Sequence, residues 1–460
     1  MIDSYDMEGE WWVPDAKDRR VSGKLEFRPG TDMRLILSGS IVDDGLAPHK
    51  VDVICGVSSS GELITLFQNA EYKQHMPFSI TKSGYHAVER WHAIPKYIVK
   101  GEHFSGEQLK QIKVLRINFE DLKSWYGQGA LDIQNEKTVF RIDTAPREPI
   151  IVDCGKISIW LISTGTTTVR GDTWTIHFES DVCFELHVHN GCNLDDYMPA
   201  IIHLQNLLVF MMGHAMPISK VSLPDEMHFT EIEIDFLARF EKRNDPARYG
   251  KADVFTTYTP LVGLQDVKDG FPHCLQKWFS DCFQYHLIHN LVIHSMTQKR
   301  PIPRESGFLF LVFALEGYHA KRYGGTYIPP DDYVRIADAL KNAIPNDVQS
   351  DLRESLRSRI RYGNDYSLRK RLRYMMETFE EQTQMVIAND PQALVNDVVD
   401  IRNDMVHCPN DGGTSYSDLP KILAISNSLT RLAVALFLRD AGIPEDVLRC
   451  RLKTLHWDLV

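Results

Sequence analysis

Arg402 and His407 are two residues whose types suit a definite chemistry. An imidazole titrates near neutrality, so it can take a proton from a ribose 2′-hydroxyl or give one to a leaving 5′-oxygen. A guanidinium can hold a phosphate through two parallel hydrogen bonds and offset the charge that grows on it during attack. Asn403, next to the arginine, can orient the imidazole ring or a phosphate oxygen. Together these three side chains fit metal-independent cleavage of RNA, with no cofactor.

The stretch VNDVVDIRNDMVHC must place them. Asp390 and Pro391 have the form of an N-cap followed by a proline at the first helical position, and Pro409 turns the residue before it away from helical dihedrals. A helix from Pro391 to about His407 follows. At roughly 100° per residue, Leu394, Val395, Val398, Val399, Ile401, Met405 and Val406 make one apolar stripe. Arg402 falls in its middle, and Asn396, Asn403 and His407 gather on a flank. A guanidinium there is costly unless a carboxylate, a phosphate or a hydrogen-bond network meets it. A purely structural account is open too: an ion pair that fixes helix docking, and a helix-end histidine on a last-turn carbonyl.

The neighbouring helices offer partners. Gly307 to Tyr323 is expected to be helical, with Glu316 and His319 continuing the stripe of Phe308, Leu311, Val312 and Leu315, so Glu316 is the candidate partner of Arg402. Between Arg353 and Arg373 lie Arg357, Arg359, Arg361, Arg369, Lys370, Arg371 and Arg373, against only Glu354 and Asp365. That run is either a solvated helix face or a track for an RNA backbone, with Tyr362 and Tyr366 as stacking surfaces. Phe271 to Met296 reads as a packed helix; its HLIH lacks the glutamate and the spacing of a zinc-protease motif. After a loop at Pro409 to Tyr416, helices are expected from Ser417 to Asp440 and from Glu445 to Leu455.

From Val21 to about Val262 the texture is different. Short alternating runs such as VSGKLEFRPG, MRLILSGSIV, VCFELHVHNG and EIEIDFLARF are punctuated by Gly, Ser, Asp and Pro, which predicts a β-sandwich or barrel. Cys183, Glu185, His187 and His189 alternate along one strand, with Cys192 after a turn. Cys183, His187, His189 and Cys192 are therefore an alternative metal set, although their spacing matches no familiar zinc knuckle and an ordinary half-buried strand explains them as well. The pair Trp11 and Trp12 suits core packing better than ligand stacking.

With 460 residues, 43% hydrophobic and 25% charged, the chain is globular and long enough for two or three domains. Eight cysteines without CxxC pairs suit a reducing compartment. The N-terminal MIDSYDMEGEWW has neither a basic nor an apolar leader region, so a cytoplasmic protein without membrane contact is expected. A net charge of −11 argues against general coating of nucleic acid and demands a local basic patch for any RNA contact.

The R-N-x-x-x-H pattern of Arg402 to His407 near the end of a helix resembles the R-x4-6-H motif of HEPN domains. ALEGYH at Ala314 to His319 and SLRKRL at Ser367 to Leu372 are similar to runs of ApeA-like HEPN proteins, and GEWWVP, GEHF and LKSWYG resemble the ApeA N-terminal domain. The resemblance implies an α+β multidomain chain. A β-rich N-terminal domain at 1–225, divisible near 150, is followed by connecting strands at 226–265 and an all-α HEPN-like bundle at 266–460. It further implies an endoribonuclease of abortive antiphage defence, acting on tRNA or other host RNA and leaving 2′,3′-cyclic phosphate ends. The N-terminal domain would sense a phage-derived trigger or restrain the nuclease.

Five residues rotate a helical side chain by about 140°, so Arg402 and His407 do not share a face of a regular helix. Either the helix ends before His407, or a homodimer through the helical domain builds a composite site. The competing reading is a non-catalytic HEPN-type module for dimerisation or for nucleotide or partner binding. A carbohydrate-active β-domain lacks a convincing carboxylate pair.

Overall fold

In the computed structural model the described residues are 5–27, 33–42, 51–69, 72–75, 78–81, 84–87, 90–127, 132–136, 139–143, 148–170, 175–224, 229–234, 259–296, 304–407 and 419–453. The expected loop at Pro409 to Tyr416, the EIEIDFLARF run from Asp235 onward, the His407 side chain and the segment beyond Lys453 lie outside them. The chain divides into two compact units, Met1–Phe279 and Ser280–Val460.

The first unit is β-rich and barrel-like with additional sheet, the texture that the alternating runs predict. Fourteen of its described strands hydrogen-bond in one antiparallel ladder, while Phe78–Thr81 with Gly84–Ala87 and Asp132–Glu136 with Val139–Asp143 form separate two-stranded sheets. The order in the ladder is Ile150–Asp153, Ser158–Arg170, Thr175–Cys192, Ile112–Phe119, Ile218–Pro224, Phe229–Ile234, Tyr97–Lys100, Leu63–Phe67, Val53–Ser58, Tyr5–Trp12, Val21–Phe27, Arg34–Leu37, Arg90–Ala93 and Tyr72–His75. The inward side chains of the strands at the Tyr72 end, among them Trp11, Leu25, Phe27, Leu35, Ile54, Leu66 and Trp91, form one core. Trp11 is fully buried there and donates its indole N–H to the Gly23 carbonyl at 3.2 Å. A Cβ at Gly56 would overlap the Trp11 ring, so that strand position accepts only glycine. Trp12 is also buried, and Arg20 lies 4.6 Å over its ring. Core packing therefore accounts for the tryptophan pair.

The helix Leu194–Met212 belongs to this unit and is buried along most of its length, capped by Asn193 and ended by Gly213 at φ 77°. Its His203 explains a departure from the sequence pattern. The Phe271 to Met296 run is not one helix: Phe271–Lys277 gives way to a wide turn at Trp278–Cys282 and a tight one at Phe283–Tyr285 before His286–Met296. Trp278 and His203 stack at 4.8 Å and exchange hydrogen bonds, indole N–H to the His203 carbonyl and imidazole N–H to the Trp278 carbonyl, both at 2.8 Å. A carbonyl held by a side chain is one that the regular helical ladder does not claim, which locally favours the widened turn.

The second unit is helical among its described residues: His286–Met296, Arg304–Tyr323, Pro330–Asn342, Ser350–Arg361, Leu368–Glu377, Glu381–Ile387, Pro391–His407, Leu419–Asp440 and Glu445–Leu452. The helix Leu419–Asp440 is long and apolar enough to cross a membrane by composition, but 67% of its most apolar window is buried in the fold. It packs against Arg304–Tyr323 and ends where Gly442, at φ 96°, donates to the Arg439 carbonyl while Ile443 donates to that of Leu438. Tyr318 anchors the same pair of helices, its hydroxyl donating to Asp440 at 2.6 Å.

Candidate active site and its scaffold

The helix Pro391–His407 is built as its sequence predicts. Asp390 accepts the Ala393 amide at 2.9 Å, and Leu394, Val395, Val398 and Ile401 are buried. Val406 is nearly half exposed and Val399 is only partly covered, so the stripe is narrower than its apolar residues suggest. Arg402 sits at the margin of that stripe and is half-buried. Its Nη1 donates to Oδ1 of the exposed Asn403 at 3.2 Å. Its Nε is buried and has no hydrogen-bond partner among the described residues. The helix ends at His407, about 140° around the axis from Arg402 on regular geometry.

The expected Arg402–Glu316 ion pair does not form among the described residues, although the two helices pack together. Glu316 is half-buried. One turn on, the interior cation is Arg371, not Arg402. Arg371 is 8% exposed and His319 is fully buried, and Nη1 of Arg371 donates to Nδ1 of His319 at 3.1 Å. The same nitrogen donates to the Gly324 carbonyl at 2.9 Å, and Nε donates to the Tyr366 carbonyl at 3.0 Å. Burial first, and the Arg371 charge second, push His319 down to about 4. Tyr323, Tyr366 and Tyr374 surround its ring with centroids between 5.2 and 6.0 Å away. His319 supports the fold, and its imidazole is neutral.

The run from Arg353 to Arg373 is not one track. It splits into the helices Ser350–Arg361 and Leu368–Glu377. Arg371 leaves the surface for the contacts just given, because a carbonyl pair and an imidazole wait for it inside. Arg369 bonds Asn396 and lies 3.3 Å from Asp400, both on the Arg402 helix. Lys370 lies 5.6 Å over the Tyr366 ring, and Nε of Arg373 is buried without a partner among the described residues. Arg357, Arg359 and Arg361 remain exposed.

The alternative metal set in the first unit is otherwise engaged. Oε1 of Glu185 accepts from Nε of Arg116 at 2.9 Å, and its Oε2 lies 3.0 Å from Nε2 of His187, which stacks on Trp160 at 4.1 Å. Burial pushes the Cys183 thiol up to about 12, away from the thiolate that zinc requires. His189 is exposed and Cys192 half-buried beside Tyr197. Among the described residues no three His, Cys, Asp or Glu side chains gather as metal ligands.

Comparison with known families places both units. The family model for ApeA N-terminal domain 1 matches residues 6–278, more than half of the chain. The chain belongs to the ApeA family. Its second unit carries the Apea-like HEPN domain at residues 309–447, which contains Glu316, His319, the basic helices and the Arg402 helix. No curated protein and no solved structure matches the chain. Sequence reasoning missed two members of the ApeA scaffold: Arg371 as an interior brace, and Asn364, a buried polar residue that ties two loops. The turn signals Gly324-Gly325 and Gly363-Asn364 marked where those loops lie.

Proposed function

We propose that this ApeA-family chain is a metal-independent endoribonuclease of abortive antiphage defence, acting on tRNA or other host RNA from its HEPN domain. Arg402 holds the scissile phosphate, His407 transfers the proton, and Asn403 orients the guanidinium it already contacts. The 2′-hydroxyl is the nucleophile, so the products carry 2′,3′-cyclic phosphate and 5′-hydroxyl ends. Two copies face each other through the Arg402 helices, and the β-rich unit restrains the nuclease until a phage-derived trigger arrives.

One observation carries this reading: among the described residues no carboxylate neutralises Arg402. A half-buried guanidinium left without a counter-charge is costly to a structure and useful to a phosphate. Arg369, on the helix packed beside it, is by contrast held by Asn396 and Asp400. The competing non-catalytic module draws on the separation of about 140° between Arg402 and His407 within one helix.

The two readings part in a single assay. Purified full-length protein is incubated with total tRNA in excess EDTA, beside an Arg402→Ala/His407→Ala double variant, and the product ends are mapped. Cleavage by the wild type alone, with cyclic-phosphate ends, is the expected result. Cleavage by both proteins, or loss of cleavage in EDTA, rejects the assignment.

A further inference from the structure

The helices Pro330–Asn342 and Ser350–Arg361 pack on each other as a hairpin, with the Tyr333 hydroxyl donating to the Ile360 carbonyl at 2.6 Å. Ala337 is the one buried side chain of these two helices. The hairpin therefore stands out in solvent, yet its root is held firmly. Thr326 bridges Asp365, and the Tyr366 amide donates to the Gly325 carbonyl at 2.9 Å. The Tyr327 amide donates to the Asn364 carbonyl at 2.9 Å, and the Asn364 side chain bonds both the N–H and the C=O of Ile328. Arg371 clamps the same two strands of chain through Gly324 and Tyr366.

That root presents two aromatic rings to water. Tyr362 is 62% exposed and Tyr327 is 54% exposed. Tyr327 packs edge-on against Tyr366 at 5.0 Å, and Lys370 covers Tyr366. Arg357 and Arg361, at i and i+4, share a face of the helix that ends at Tyr362. Both are exposed, and neither forms an ion pair among the described residues. Arg353, on the same helix, is spent on the carbonyls of Asn346 and Val348. Unpaired guanidiniums and exposed rings on a firmly hydrogen-bonded root are the two components of a surface for single-stranded nucleic acid: cations that follow the backbone and faces on which bases stack.

We propose that the hairpin root is a docking platform for single-stranded RNA, in which Tyr362 and Tyr327 stack unpaired bases and Arg357 and Arg361 contact the flanking phosphates. The platform rests on the ribonuclease reading for its ligand class but not for its geometry. It selects a loop or an end, not a duplex, because only unpaired bases offer a free face.

The test uses full-length protein with His407→Ala, so that RNA is bound and not consumed, and a fluorescein-labelled oligouridine of about 15 nucleotides as probe. Anisotropy titrations run between about 50 and 200 mM salt. Tyr362→Ala and Tyr327→Ala are each expected to weaken binding at least about 5-fold, whereas Tyr362→Phe keeps the affinity. Arg357→Ala with Arg361→Ala should lower the slope of log Kd against log salt by about 1.4. Circular dichroism of each variant guards against misfolding. Unchanged affinity and slope in all of them overturns the platform. So does a change in sedimenting mass with RNA affinity intact, which would give this face to a second copy of the chain. Cleavage of tRNA by the wild type, scored separately, keeps a failure of the platform distinct from a failure of the nuclease reading.

Discussion

Arg371 donates through Nη1 to Nδ1 of His319 at 3.1 Å, and the imidazole it meets is neutral. A donor on Nδ1 makes that atom the acceptor, so the ring proton resides on Nε2, which is buried without a hydrogen-bond partner among the described residues. A second proton would put imidazolium against guanidinium inside the HEPN domain. The interior therefore tolerates one cation at this place and excludes the other.

The helical unit should lose stability in mild acid. The folded value of about 4 lies below the ordinary 6.5, so between them the unfolded chain binds more protons. The contribution of His319 is complete above the unfolded value and is lost as the pH falls toward 4. That shift corresponds to about 3 kcal/mol at most. Urea midpoints of the helical unit at neutral pH and near pH 5 should differ in that sense, and His319→Gln, whose amide oxygen still accepts from Arg371, should flatten the difference. An acid slope that survives the substitution assigns the effect to other groups.

Arg371→Met should destabilise the helical unit by about 2–4 kcal/mol, because it orphans the Gly324 and Tyr366 carbonyls as well as the imidazole. Arg357→Met, from the same basic run, should stay within about 0.5 kcal/mol, since its side chain is exposed. Equal effects in denaturant titrations would contradict the division of that run into a brace and a surface.

Much of this contrast lay beyond the sequence. Local features were legible: the Asp390–Pro391 cap, the alternating VCFELHVHNG strand, and the end of the long helix at Asp440 all depend on residues near in the chain. Arg371 and Arg357 are indistinguishable in composition, and what separates them is His319, 52 positions from Arg371. The break in the Phe271 to Met296 run depends likewise on His203, 75 positions from Trp278. The Arg402–Glu316 pairing followed from a correct stripe on the Glu316 helix and one drawn too wide on the Arg402 helix, and a stripe fixes which face is covered but not which residue stands opposite.

Arg402→Ala should separate activity from stability. With no ion pair to break among the described residues, the substitution should move the unfolding free energy by less than about 1 kcal/mol. RNA cleavage should fall by about 100-fold or more, the usual cost of removing a group that stabilises transition-state charge. A variant that unfolds as readily as it loses cleavage would return Arg402 to a structural role.

Zinc should not stabilise the β-rich unit. Glu185 already joins Arg116 to His187, and the Cys183 thiol is held protonated by burial. The unfolding midpoint should be the same in EDTA and in excess zinc, while Glu185→Gln should lower stability by about 1–3 kcal/mol by removing the charge between Arg116 and His187. A zinc-dependent rise abolished by Cys183→Ser would revive the metal set.

The separation between Arg402 and His407 makes the last expectation quantitative. If the regular helix holds to His407, one copy cannot aim both side chains at one phosphate, and each site takes its arginine from one copy and its histidine from the other. Arg402→Ala and His407→Ala proteins are then inactive alone, because each lacks one half of both sites. Mixed and allowed to exchange, about half of the dimers contain one copy of each, and every such dimer rebuilds one complete site and one empty one. Activity should return to about a quarter of the wild type. Light scattering on the same samples reports whether dimers are present. A mixture that stays inactive although copies exchange would show that arginine and histidine must come from one chain, which requires the helix to unwind before His407.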